Sequence, residues 1–143
     1  MRSGFTVRER IDRPVQEVWA FLSDMNNAER WMTGITHMKP VRPGSIGVGS
    51  RFSFSARGAE RQTEITTWEP PNRLALTSTQ GGITARYEYS VSGNEQWTDV
   101  QLHAECRARG VWRIVHPLIL LFMKKSDASQ LVNLKRTMED LGV

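Results

Sequence analysis

The chain has 143 residues and only one cysteine, Cys106, so it can form no internal disulfide and nothing in it requires an oxidising compartment. It also lacks a long apolar run. The greasiest stretch, Val111 to Met123, carries Arg113, His116 and Pro117 and is too short to span a bilayer. The first ten residues, MRSGFTVRER, contain no apolar core of a signal peptide, and no Asn-x-Ser/Thr acceptor occurs. Together these absences predict a cytoplasmic globular protein.

A basic run is missing too, although the net charge is +4. Of 19 basic residues 15 are Arg, spread from Arg2 to Arg136, and the longest basic cluster is Lys124-Lys125. Nucleic-acid binders gather their charge on one stripe with interleaved aromatics. Here Arg8 and Arg10 alternate with Glu9 and Asp12, and Arg57 and Arg61 bracket Glu60. The pattern predicts a solvated surface of mixed charge and no nucleic-acid partner.

What is present is enough apolar residue, 39%, for one core, and the expectation is one domain over residues 1–143. Phe5, Val7 and Ile11 alternate with polar residues, as in a half-buried strand. Pro14 suits a first helical turn, and Val15, Val18, Trp19 and Leu22 follow on one helical face. Asn26 to Met32 reads as a short second helix stopped by Gly34. From Ile35 to about Arg109, turn signals such as Pro43-Gly44, Arg57-Gly58, Pro70-Pro71-Asn72, Gly81-Gly82 and Gly93-Asn94 separate six β segments. Leu131, Leu134, Met138 and Leu141 then form a helical stripe. A helix from between Val111 and Pro117 to Leu141, stopped by Gly142, would reach roughly 37 Å, about the width of a small sheet. The order strand, two helices, six strands, long helix predicts an α+β fold with a curved antiparallel sheet wrapped around the last helix.

The stretch Ile11-Asp12-Arg13-Pro14-Val15-Gln16-Glu17-Val18-Trp19-Ala20-Phe21-Leu22-Ser23-Asp24, followed by Trp31, resembles the opening of the polyketide cyclase/dehydrase-like branch of the START and Bet v 1-like (SRPBCC) superfamily. Gly47-Val48-Gly49 before the third strand, Trp68-Glu69-Pro70-Pro71-Asn72-Arg73-Leu74 and the terminal Leu134-Lys135-Arg136-Thr137-Met138-Glu139 agree with it. The resemblance covers the whole chain and implies the helix-grip fold, with a hydrophobic cavity between sheet and last helix. Members use that cavity for lipids, sterols, hormones, polyketides or aromatic molecules, and a minority catalyse cyclisation or dehydration. Every matched residue here does structural work, so no catalytic residue carries over.

No cofactor or metal site emerges from the spacing. Gly47-Val48-Gly49 leads into a strand without a Lys, unlike a phosphate loop. His103 and Cys106 point to opposite faces of a strand, and Val100, Leu102, Ala104, Cys106 and Ala108 form its inward row. Polar residues on apolar rows are more informative. Glu9 shares a face with Phe5, Val7 and Ile11, so it either enters a cavity or lies at the sheet's wet edge. The last helix's stripe, extended backwards, carries Leu120, Met123, Lys124 and Asp127. A Lys124–Asp127 pair at a pocket mouth is one reading, and a bend at Ser126-Asp127, with Asp127 and Gln130 capping a second segment, is the other.

Trp31, Phe52, Phe54, Tyr87 and Tyr89 would line the cavity, the tyrosines best suited to a ligand because a buried hydroxyl needs a partner. The apolar surplus at residues 111–123 implies a homodimer face, a pocket lid or passing membrane contact without stable insertion, with dimer or lid favoured. Three functions stay open: carriage of a small hydrophobic or amphipathic molecule, a cyclase/dehydratase-type enzyme with a cavity carboxylate, and a docking module.

Overall fold

The computed structural model describes residues 2–32, 34–127 and 129–141. Seven strands form one antiparallel sheet: β1 (Arg2–Ile11), β2 (Thr36–Pro40), β3 (Arg51–Ala56), β4 (Ala59–Glu69), β5 (Arg73–Gln80), β6 (Ile83–Gly93) and β7 (Thr98–Ala108). Their spatial order is β1-β7-β6-β5-β4-β3-β2. Every neighbouring pair from β2 to β7 is thus a hairpin. Only β1 returns from the far end of the sequence to pair with β7, and the helices α1 (Val15–Leu22) and α2 (Ala28–Trp31) carry the chain across to the opposite edge.

Alternation sets which face each strand buries. Thr98, Val100, Leu102, Ala104, Cys106 and Ala108 of β7 are all buried, the row expected from the sequence, and His103 lies on the other face against Thr6 and Glu105. In β4 the alternation slips. A bulge between Ile65 and Thr67 lets Ile65 and Trp68, three residues apart, face the same side. Trp68 then meets Trp19 of α1, ring centroids 5.6 Å apart. The outer face carries the cross-strand charge pairs Arg10–Asp99, Arg51–Glu64 and Arg73–Glu88, and Arg86 joins Glu88 from the same strand.

The turns follow from local chemistry. Arg57 and Gly58, joining β3 to β4, have φ of 53° and 74°, the geometry that matches the right-handed twist of a two-residue hairpin. Gly tolerates this freely and Arg does not, so Arg57 is held there by its surroundings. Pro14 precedes α1 with φ −58°, and the Val15 amide is satisfied by the Asn94 carbonyl at 2.9 Å.

The C-terminal arm is divided into α3 (His116–Asp127) and α4 (Gln130–Leu141), in line with the second reading of the sequence, in which Asp127 and Gln130 pair at the start of a new segment. The interruption follows Asp127, a residue type whose side chain competes with the helical backbone and favours caps. Leu131, Leu134 and Met138 of α4 are buried against β1, β7 and α2, whereas the Leu141 side chain and the stop at Gly142 lie outside the described residues. In α3 the buried face is centred on His116 and Met123, with Ile119 and Leu120 half-covered. Lys124 is exposed and does not pair with Asp127, contrary to the inward row read from the sequence. His116 and Met123 set the buried side of α3, and Lys124 lies off it. The His116 Nε2–H donates to the Cys106 carbonyl at 2.9 Å.

Two cores result. The larger joins α1, α2 and α4 to the middle of the sheet, and the smaller joins α3 to Phe5, Ala104 and Cys106; Val7 and Tyr87 touch both. Leu134→Ala is expected to lower the unfolding free energy by about 2–5 kcal/mol. Leu121→Ala, on the outer side of α3, should change it by under about 0.5 kcal/mol. Denaturant unfolding of both variants measures the difference, and equal losses would contradict the docking of α4 described here.

Candidate functional site

Tyr87 and Tyr89, two residues apart on β6, share the inner face of the sheet. The registers Tyr87↔Leu76, Tyr87↔Ala104, Tyr89↔Leu74 and Tyr89↔Leu102 place both rings over the middle of the sheet, surrounded by apolar neighbours. Across from them lies the break between α3 and α4. Asp127 ends α3 and Gln130 opens α4, three residues apart, and both side chains meet the tyrosines.

Four polar groups join there. The Tyr87 hydroxyl donates to Asp127 Oδ2 at 2.9 Å, and Gln130 Nε2 donates to Asp127 Oδ1 at 3.1 Å. The Tyr89 hydroxyl donates to Gln130 Oε1 at 2.7 Å. Tyr89 and Gln130 are buried, whereas Tyr87 and Asp127 are half-buried, so the chain of hydrogen bonds runs from the core towards solvent. Ile83, Ala85 and Phe54 on the same end of the inner face are half-buried too.

Burial sets the electrostatics. Desolvation holds the Asp127 carboxyl above the usual carboxylate range, despite hydrogen bonds from Tyr87 and Gln130 and the positive charge of Arg57. Burial, reinforced by the Asp127 charge, pushes both tyrosine hydroxyls upward, so they remain protonated donors. Trp31 packs edge-on to Tyr89 with centroids 5.4 Å apart. Its indole Nε1–H is buried and has no hydrogen-bond partner among the described residues. A buried donor left unpaired costs about 1–3 kcal/mol, so this one is a natural contact for an acceptor on a bound molecule.

Of the residues singled out from the sequence, Trp31, Tyr87, Tyr89 and Asp127 converge here. Leu120 and Met123 pack in the smaller core beneath α3, beside Tyr87, and Phe52 is buried in the larger core. Phe54 lies at the half-open end of the inner face. Glu9 is not brought into the group. It sits half-buried on the edge strand β1, where its charge acts on Lys135 of α4. Gln130 was foreseen only as a capping partner, yet it links the two tyrosines through Asp127. The Asp127-x-x-Gln130 spacing was the signal for it. Arg57 and the buried His116 carried no such signal, because hairpin geometry and tertiary packing place them.

Two cavities open elsewhere. One of about 550 Å³ lies beside the 40–50 loop and reaches Phe52 and Glu64. The other, of about 290 Å³, lies mostly over outer-face residues of β4 and β5, including Thr66 and Thr77. Neither includes the tyrosine cluster. Among the described residues, the tyrosine cluster is where buried polar groups converge on the inner face.

Because the folded protein keeps the Asp127 proton to higher pH than the unfolded chain does, ionising it in place costs stability. That cost begins as pH rises past the unfolded value near about 3.9 and is complete above the folded one. Asp127→Asn does not ionise, so its Tm relative to the wild type should rise between about pH 4 and about pH 7. Thermal melts across that interval measure it. A relative Tm that falls instead would mean the fold favours the Asp127 anion.

A family described as "Polyketide cyclase / dehydrase and lipid transport" matches residues 3–139. No curated protein matches the sequence. Among solved structures, norcoclaurine synthase from Thalictrum flavum, in complex with dopamine and hydroxybenzaldehyde, is similar at 11% identity and a TM-score of 0.71, covering 98% of this chain and 88% of that one. An aromatase/cyclase from a Streptomyces species aligns at 10% identity with a TM-score of 0.78, over 97% and 94% of the two chains. A Thermus thermophilus protein aligns at 15% identity with a TM-score of 0.76, over 99% and 100%. These likenesses show the Bet v 1-like helix-grip fold. With residues 3–139 matched, the chain belongs to the polyketide cyclase/dehydrase and lipid transport family.

Proposed function

We propose that the protein binds and carries a small amphipathic molecule, such as a phenolic or polyketide-like metabolite or a lipid, between the inner face of the sheet and the C-terminal helices. The observation that carries this reading is the chain Tyr87–Asp127–Gln130–Tyr89, with the unpartnered Trp31 N–H beside it. Both tyrosine protons are already committed, to Asp127 and to Gln130. What the cluster has left to offer is mainly oxygen lone pairs and one indole donor. A hydroxyl or phenol supplies both a donor and an acceptor, and its apolar body would lie along Phe54, Ile83 and Leu120. The family description includes lipid transport, and dopamine and hydroxybenzaldehyde, the molecules in the norcoclaurine synthase complex, have this phenolic character. The lone buried Cys106 fits a cytoplasmic carrier.

One observation favours an enzymatic variant of the same site. A carboxyl held protonated above its usual range beside a tyrosine hydroxyl has the properties of a general acid, which a cyclase or dehydratase needs. Asp127 would then touch the reacting oxygen and Tyr87 would orient it.

Native mass spectrometry of protein from its own host, together with thermal shifts against phenols, polyketides and lipids, tests the carrier reading. A retained small mass or a raised Tm is expected, and Asp127→Ala should weaken binding roughly tenfold or more, as loss of a buried hydrogen-bond partner would. No retained mass and no shift with the whole panel would sink the proposal. Turnover that Asp127→Asn abolishes while binding persists would move the assignment to the enzyme.

A further inference from the structure

The outer side of the segment leading into and along α3 is apolar, basic and unpartnered. Val111, Ile114, Leu118 and Leu121 are 78%, 82%, 69% and 63% exposed. Ile114, Leu118 and Leu121 follow at spacings of 4 and 3, so they form one stripe that points away from the buried His116 and Met123. Trp112 adds a half-exposed ring, held in place because its other side packs against Gly81 and Gly82 of the β5–β6 turn. A Trp anchored by one face with its edge in water is the side chain that favours a membrane–water boundary.

Charge selects the partner. Between Cys106 and Ser126 there is no Asp or Glu, while Arg107, Arg109, Arg113, Lys124 and Lys125 are all present and exposed. Among the described residues none of Arg109, Arg113, Lys124 and Lys125 forms an ion pair, unlike the arginines paired on the outer face of the sheet. A second copy docking by a two-fold axis would set this positive face against itself. An anionic surface neutralises it. We infer that the face built from residues 109–125 and the Gly81-Gly82 turn docks on anionic lipid bilayers, with Trp112, Ile114, Leu118 and Leu121 entering the headgroup boundary and the basic residues on the phosphates. Among the described residues no helix is long and apolar enough to cross a membrane, so the contact is peripheral. This inference does not depend on the proposed cavity ligand.

Flotation with vesicles of phosphatidylglycerol and phosphatidylcholine in equal parts, against pure phosphatidylcholine, is the test. The full chain should float with the anionic vesicles and not with the neutral ones, and high salt should reduce the bound fraction. Leu118→Glu with Leu121→Glu should abolish flotation, and Lys124→Glu with Lys125→Glu should weaken it by roughly tenfold or more. All four side chains are exposed, so unchanged Tm and circular dichroism will show that the variants remain folded. Equal behaviour on both vesicle types, or no flotation at all, overturns the inference. So does a dimer in solution, seen by light scattering without lipid, that Leu118→Glu with Leu121→Glu converts to monomer.

Discussion

The hydrogen bonds from Tyr87 and Tyr89 to Asp127 and Gln130 tie the sheet to its C-terminal arm where α3 ends and α4 begins. Helix α4 lies over the larger core and α3 over the smaller, and the two meet at this polar seam. An apolar seam would have been simpler to pack. Four buried or half-buried polar groups must all find partners, and a carboxylate in this setting carries a desolvation cost. On the proposed function, that cost is what a site for contact with a bound molecule carries.

The apolar residues divide between packing and outward presentation. Val18, Leu22, Leu74, Leu102 and Leu134 are fully covered and hold the fold together. The stripe Ile114, Leu118 and Leu121 contributes nothing to that core. One amphipathic segment thus has two apolar sides, an inner one closing the smaller core beside Tyr87 and an outer one free to meet another surface. The basic charge divides similarly. Arg10, Arg51 and Arg73 are neutralised across strands and Arg86 by Glu88 of its own strand, whereas Arg109, Arg113, Lys124 and Lys125 gather around the outer stripe.

Strand and helix positions were legible because their periods are local: alternation predicted the buried row of β7, and the 3.6-residue repeat predicted the faces of α1 and α4. The resemblance of the Ile11–Asp24 stretch and the Trp68–Leu74 turn to the helix-grip family supplied the arrangement, which the family match and the fold bear out. Features set by contacts between distant segments were not legible. The bulge that turns Trp68 towards Trp19 interrupts a regular alternation without a sequence signal. His116 reads as a break in an apolar run, although it donates a buried hydrogen bond and fixes which side of α3 faces inward. Asp127 and both tyrosines could be picked out as polar groups on apolar rows, but Gln130's contact with Tyr89 depends on how α4 packs on the sheet. Glu9 met the same criterion and went elsewhere, because β1 is an edge strand and α4 brings Lys135 to it.

Chemical-shift mapping by NMR, with the compound that raises the Tm most, tests the central claim most directly. The account predicts that shifts concentrate at Trp31, Tyr87, Tyr89, Asp127 and Gln130, with little change at Glu9 and Lys135. Shifts confined to the 40–50 loop, beside the cavity that reaches Phe52 and Glu64, would contradict it and move the binding site out of the helix grip.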